Sequence, residues 1–118
     1  MDEVELKQRT KQFALRVIKL AGSLPGNFIA RIISSQLVRA GTSVGANYRA
    51  ACRARSQAKF IAKLGIVEEE ADESSYWMEL IIEAKLVVPE RIQSLLTEAN
   101  EILAIISASR RTAKRNAS

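Results

Sequence analysis

The segment from Ser56 to Val87, SQAKFIAKLGIVEEEADESSYWMELIIEAKLV, contains no proline and no paired glycine. Within it Phe60, Leu64, Val67, Ala71, Met78 and Ile81 recur at intervals near three and four, and Leu80, Ala84 and Val87 extend an adjoining stripe. One helix can bury all of them together. A helix of roughly 30 residues is a rod of about 45 Å, longer than an average globular helix and typical of a bundle stave. Its charge changes sign halfway: Lys59 and Lys63 come first, then Glu68, Glu69, Glu70, Asp72 and Glu73. The rest of the chain has to pack along this rod.

Three further segments do so. From about Val4 to Ala21, Leu6, Thr10, Phe13, Val17 and Leu20 alternate steps of four and three, which predicts a first helix. Gly22 and Pro25-Gly26 make a short turn, and Asn27 is the expected N-cap of a second helix from about Phe28 to Arg53. Its apolar face reads Ile29, Ile33, Leu37, Ala40, Val44, Tyr48 and Ala51. Gly41 and Gly45 lie one turn apart at its centre, each costing about 0.8 to 1.0 kcal/mol relative to alanine. Either a close helix contact offsets that cost or the helix is locally weak. Ser56 is the expected N-cap of the long third helix, and Val88-Pro89 ends it. A fourth helix follows with Ile92, Leu95, Leu96, Ala99, Ile102, Leu103 and Ile106 on one face, and its basic tail is expected to fray from about 110 to 118. Links this short favour an all-α, antiparallel up-down-up-down four-helix bundle, with residues 1–118 forming one domain. Val38, Ile61, Ile66, Trp77, Leu86 and Ile105 fall beside or away from the main stripes, a surplus of apolar surface that favours self-association.

Cys52 is the single cysteine, which excludes an intramolecular disulfide and suits a reducing, cytoplasmic setting. It is read as a partly buried helix residue without chemistry. The start MDEVELKQRT is unlike a secretory signal, and no apolar run reaches membrane-spanning length. The chain has no histidine, which removes the usual triads and the nitrogen ligands of a bundle di-metal site. Glu69, Glu70 and Glu73 are therefore read as solvent-facing or Arg-paired, and no metal, cofactor or catalytic residue is assigned. Asn47 and Glu73 are expected to be inward polar groups linking the second and third helices, and Tyr76 and Trp77 to serve packing.

Charge is the informative functional signal. The formal net charge is +5, and between Glu5 and Glu68 every charged residue is basic. Arg49 and Arg53 lie one helical turn apart, as do Arg55, Lys59 and Lys63, and the end of the chain adds Arg110, Arg111, Lys114 and Arg115. Such clusters hold phosphates through salt-sensitive contacts with little base selectivity.

Residues 41–81, GTSVGANYRAACRARSQAKFIAKLGIVEEEADESSYWMELI, resemble a small bacterial four-helix-bundle family first noticed as proteins encoded by intervening sequences in 23S ribosomal RNA genes. The resemblance is carried by Ser43-Val44, Ala46-Asn47, the basic link, Phe60, Leu64 and the acidic half of the third helix with Glu73, and it fits the turn at Pro25 and both outer helices. The chain departs from the family run at Gly45, where proline is usual, and at Arg49-Ala50-Ala51, where Ala-Glu-Gly is usual. The resemblance implies a left-handed antiparallel bundle, assembly as a five-membered ring, and no enzymatic activity. Related accessory proteins of retroelements look like nucleic-acid-binding partners of a reverse transcriptase.

The resulting expectation is a non-enzymatic homo-oligomer, a pentamer by resemblance, acting as a basic scaffold for RNA or DNA. The nominated contacts are Arg49, Arg53, Arg55, Lys59 and Lys63, with Arg110, Arg111, Lys114 and Arg115 second. The alternative is an adaptor that recruits a protein through its acidic and basic faces without touching nucleic acid.

Overall fold

A computed structural model of the chain describes residues 1–117, which form four α-helices and no strand. They are α1 (Glu3–Gly22), α2 (Phe28–Cys52), α3 (Gln57–Glu83) and α4 (Gln93–Ala117), with one 3-10 turn at Pro89–Arg91 ahead of α4. The first three helices start where side-chain acceptors are available. Asp2 accepts from the Glu5 N–H, Asn27 from Ala30 and Ser56 from Lys59, each satisfying an N–H that the helix itself leaves open.

Neighbouring helices run antiparallel, as their cross-contacts show. Val17 and Thr10 of α1 lie against Gly41 and Gly45 of α2, in reversed order. Arg9 and Arg16 of α1 reach Glu98 and Ser94 of α4, and Gln57 and Ser75 of α3 reach Ala113 and Asn100 of α4. With α1 opposed to both α2 and α4, and α3 opposed to α4, α2 and α3 are opposed as well. The result is an up-down-up-down four-helix bundle measuring 49 × 21 × 20 Å.

The core is mostly aliphatic, with two buried aromatic rings, Phe13 and Tyr48. Phe13 and Val17 of α1, Leu37 and Val44 of α2, Leu64, Met78 and Ile81 of α3, and Ile92, Ile102 and Ile106 are fully buried. Ile29, expected on the inward face of α2, is exposed, and Ala30 takes the buried position. Thr10, Ser74 and Ser75 are buried as well; Thr10 and Ser74 donate to carbonyls one turn back on their own helices, and Ser75 donates to Asn100 at 2.9 Å. The notch at Gly41 and Gly45 is a close helix contact, since a Cβ built on Gly41 would stand 2.8 Å from Val17 Cγ2.

Three boundaries or surfaces differ from expectation. α3 stops at Glu83 rather than Val87, because Lys85 takes a left-handed conformation (φ 59°). The N–H groups of Lys85 and Leu86 turn back to the carbonyls of Ile82 and Ile81, closing the helix end without a glycine. α4 is helical through Ala117, where fraying was expected from about residue 110; Ser118 lies outside the described residues. Its last turns are held by buried Ala113, whose carbonyl accepts from Gln57 Nε2 at 3.3 Å. Of the six off-stripe apolar residues, Val38, Trp77, Leu86 and Ile105 pack against the core, Ile61 is half-buried, and only Ile66 is exposed. Large apolar side chains are exposed elsewhere: Leu15 and Ile18 on α1, Phe28, Ile29 and Ile32 on α2, and Tyr76 on α3.

Candidate nucleic-acid interface

The up-down order brings both nominated basic clusters to one end of the molecule. The 53–56 link places the end of α2 beside the start of α3, and antiparallel α4 returns its C-terminus to the same place. Arg49 comes from the last turn of α2, Arg53 and Arg55 from the link, Lys59 and Lys63 from the first turns of α3, and Arg110, Arg111, Lys114 and Arg115 from the last turns of α4. Residues more than fifty positions apart in the chain thus form one cap.

Within that cap the cations are not equivalent. Arg110 is half-buried and donates to the Ile61 carbonyl at 3.3 Å and to Glu68 at 3.4 Å. It also lies against Gly65, 3.2 Å from where a Cβ would stand. Arg110 therefore fastens α4 to α3, a role the charge pattern alone did not reveal. Arg115 has an interaction of its own. Arg49, Arg53, Arg55, Lys59, Lys63, Arg111 and Lys114 make no ion pair among the described residues, and all but half-buried Lys63 are exposed. Besides Glu68, the start of α1 brings Glu3 to this end, where it shares a groove with Arg55. Asp2 is engaged in capping, which lowers its pKa through the Glu5 N–H, and Glu3 pairs with Lys7 at 3.5 Å.

Glu70 and Glu73 of α3 and Glu98 and Glu101 of α4 are matched by two cations that were not nominated, Arg39 and Arg9. Arg9 donates to both oxygens of Glu98 at 2.7 Å each and to Glu101 at 2.9 Å, which closes α1 onto α4. This pairing holds the Glu98 carboxyl below its ordinary pKa and raises that of Arg9. Arg39 of α2 donates to Glu70 at 3.2 Å and to Glu73, and Trp77 also donates to Glu73 at 3.2 Å. The Glu73 carboxyl is lowered chiefly by the Arg39 hydrogen bond. Glu73 thus links α2 and α3 as expected, but from the solvent-facing side rather than as an inward group. Asn47 does not: its amide donates to the Ser43 carbonyl of its own helix at 2.9 Å.

Two shallow grooves adjoin the cap. One, of about 420 Å³, runs between the start of α3 and the end of α4 and offers Gln57, Ser109, Thr112 and Asn116 over Phe60. These polar residues were missed because the groove joins distant segments, although Ser109, Thr112 and Asn116 recur at helical spacing. The other, of about 400 Å³, lies between Glu3, Cys52, Arg55 and Phe60. Cys52 is half-buried, and burial is the main cause that pushes its thiol pKa up, away from the reactive thiolate. Burial likewise raises the pKa of Tyr48.

Helix order, antiparallel sense and core define an all-α four-helix bundle of the up-and-down class. Residues 2–108 match the family model for the 23S rRNA-intervening sequence protein, and the chain belongs to that family. It is also similar to a crystal structure of a protein of unknown function from the S23 ribosomal protein family of Bacteroides thetaiotaomicron, with 34% identity and a TM-score of 0.86 over 94% of this chain and 99% of that one. No curated protein matches the chain. No helix among the described residues is long and apolar enough to cross a membrane.

Proposed function

We propose that the protein is a non-enzymatic, cytoplasmic scaffold that self-associates and binds RNA or DNA through its basic cap. The observation that carries this reading is the gathering of Arg49, Arg53, Arg55, Lys59, Lys63, Arg111 and Lys114 at one end, without ion-pair partners, while Glu68, Glu70 and Glu73 of α3 and Glu98 and Glu101 of α4 are engaged by Arg110, Arg39 and Arg9. Unpaired surface cations retain their charge for phosphates, and releasing counterions from a polyanion supplies the driving force. No exposed aromatic side chain belongs to the cap, so contact is to the sugar-phosphate backbone and sequence preference is weak. The absence of histidine and the open, shallow character of the grooves support a binding role over catalysis. Self-association draws support from exposed Phe28, Ile29 and Ile32; the five-membered ring rests on the family resemblance.

The test is a salt-titrated binding assay with RNA, single-stranded DNA and duplex DNA. Replacing Arg53, Arg55 and Lys59 by Ala should lower affinity by about tenfold or more and reduce the log-log salt slope by about 2 to 3, with unchanged helicity. Unchanged affinity in that variant rejects the cap as the contact surface. The same exposed apolar residues favour a second reading, a protein-recruiting adaptor, and absence of nucleic-acid binding even at low salt selects it.

A further inference from the structure

At the end of the bundle opposite the cap, α1 and α4 part to leave a cleft of about 300 Å³ lined by Arg16, Lys19, Leu20, Ser23, Arg91 and Ser94, with Leu95 behind them. Three cations and two hydroxyls line it, and no acid does. We infer that this cleft binds a phosphate group, as a free dianion or a phosphomonoester, independently of the basic cap. The volume lies at the small end of the range for small-molecule sites, which suits a compact anion with little attached.

The local bonding leaves donors to spare. Arg16 Nη2 donates to Ser94 Oγ at 2.9 Å, which orients the guanidinium across the cleft and leaves the Ser94 hydroxyl proton for another acceptor. The remaining guanidinium N–H groups of Arg16, together with Arg91 and Lys19 lining the same cleft, supply charge-assisted donors, and three positive charges without an acid suit a dianion better than a singly charged carboxylate. Ser94 sits in the first turn of α4, where the helix dipole adds positive potential. At the opposing end of α1 the Leu20 carbonyl is already engaged, accepting from both the N–H and the hydroxyl of Ser23. Glu98 acts electrostatically on Arg16, but both its oxygens are held by Arg9. Glu90 belongs to the 3-10 turn and does not line the cleft.

Titration of inorganic phosphate into isotopically labelled protein, followed by amide shifts at constant ionic strength, tests the site. Saturable shifts should concentrate at Ser23, Arg91, Ser94 and Leu95, and the double change Arg16→Gln with Arg91→Gln should weaken binding by about tenfold or more. Lys19→Gln alone should produce a smaller loss and keeps the test decisive if the double variant misfolds. The cap variant lacking Arg53, Arg55 and Lys59 should bind phosphate as the parent does, so failure of nucleic-acid binding at the cap leaves this result standing. Comparing oligonucleotides with a 5′-phosphate or a 5′-hydroxyl separates a strand end from a small free anion as the source of the group. Shifts spread over cations all around the surface, or undiminished affinity in the double and Lys19 variants, would overturn the assignment.

Discussion

Val17 sets how closely the first two helices approach. Its two γ-methyl carbons stand 2.8 and 2.9 Å from the position a Cβ on Gly41 would occupy, and Val17 is completely buried, so its stiff β-branched side chain cannot rotate away cheaply. Gly41→Ala would gain about 1 kcal/mol of helix propensity but incur an overpacking cost of about 1 to 3 kcal/mol. The expected net is a loss of up to about 2 kcal/mol, read from urea unfolding. At Gly45 the nearest atoms are Thr10 Oγ1 at 3.3 Å and its backbone at 3.4 Å, so Gly45→Ala should cost distinctly less. A second residue-level consequence concerns Glu98, whose folded pKa is depressed by Arg9. A depressed carboxylate contributes stability that is present above its unfolded pKa and is lost as pH falls through the folded value. Glu98→Gln should therefore lower stability by about 1 to 2 kcal/mol near pH 7. The gap to the parent should narrow below about pH 4, where ordinary carboxylates protonate. A pH series of thermal melts checks both features, and a gap that stays constant down to pH 2 would contradict the role given to this pair.

At the scale of the element, helix beginnings carry their own chemistry and helix ends here do not. Asn27 and Ser56 are short polar residues placed directly before apolar periodicity, so their caps are visible in the chain. The end of α3 has no such marker, because Leu80, Ala84 and Val87 continue the helical spacing past the point where Lys85 turns left-handed. That conformation is costly for a residue with a Cβ, and Lys85→Gly should stabilise the protein by up to about 1 kcal/mol. An unchanged or lowered melting temperature would mean that contacts of the lysine stem outweigh the strain. The persistence of α4 was hidden for a related reason. RRTAKRNA is polar enough to read as a fraying end, and only tertiary contact at Ala113 and Arg110 reveals that it packs. The central helices, their antiparallel order and the basic segments were legible, because periodicity and charge are local properties. Which cations remain unpaired was not, because Arg9, Arg39 and Arg110 find their acids 31 to 92 positions away or at similar range across helices.

For the whole molecule, the two ends carry different chemistry. One end collects cations, whereas Phe28 and Val88, the first from the start of α2 and the second from the link before α4, leave apolar side chains exposed at the other. If the protein self-associates as proposed, changing Phe28 and Ile32 together to Lys should reduce it to a species of 13.0 kDa in sedimentation, with helicity intact. A parent chain that already sediments at that mass at micromolar concentration would remove self-association from the proposed function. The last turns of α4 bear on the heat and timing of any encounter with an anion. Arg111 and Lys114 ride on a rigid stem rather than a loose whip, so the backbone ordering of that segment, about 1 to 2 kcal/mol per residue, is met when the chain folds. A polyanion arriving there meets a surface already set, and calorimetry should register a small heat-capacity change, without the signature of a tail that folds on contact.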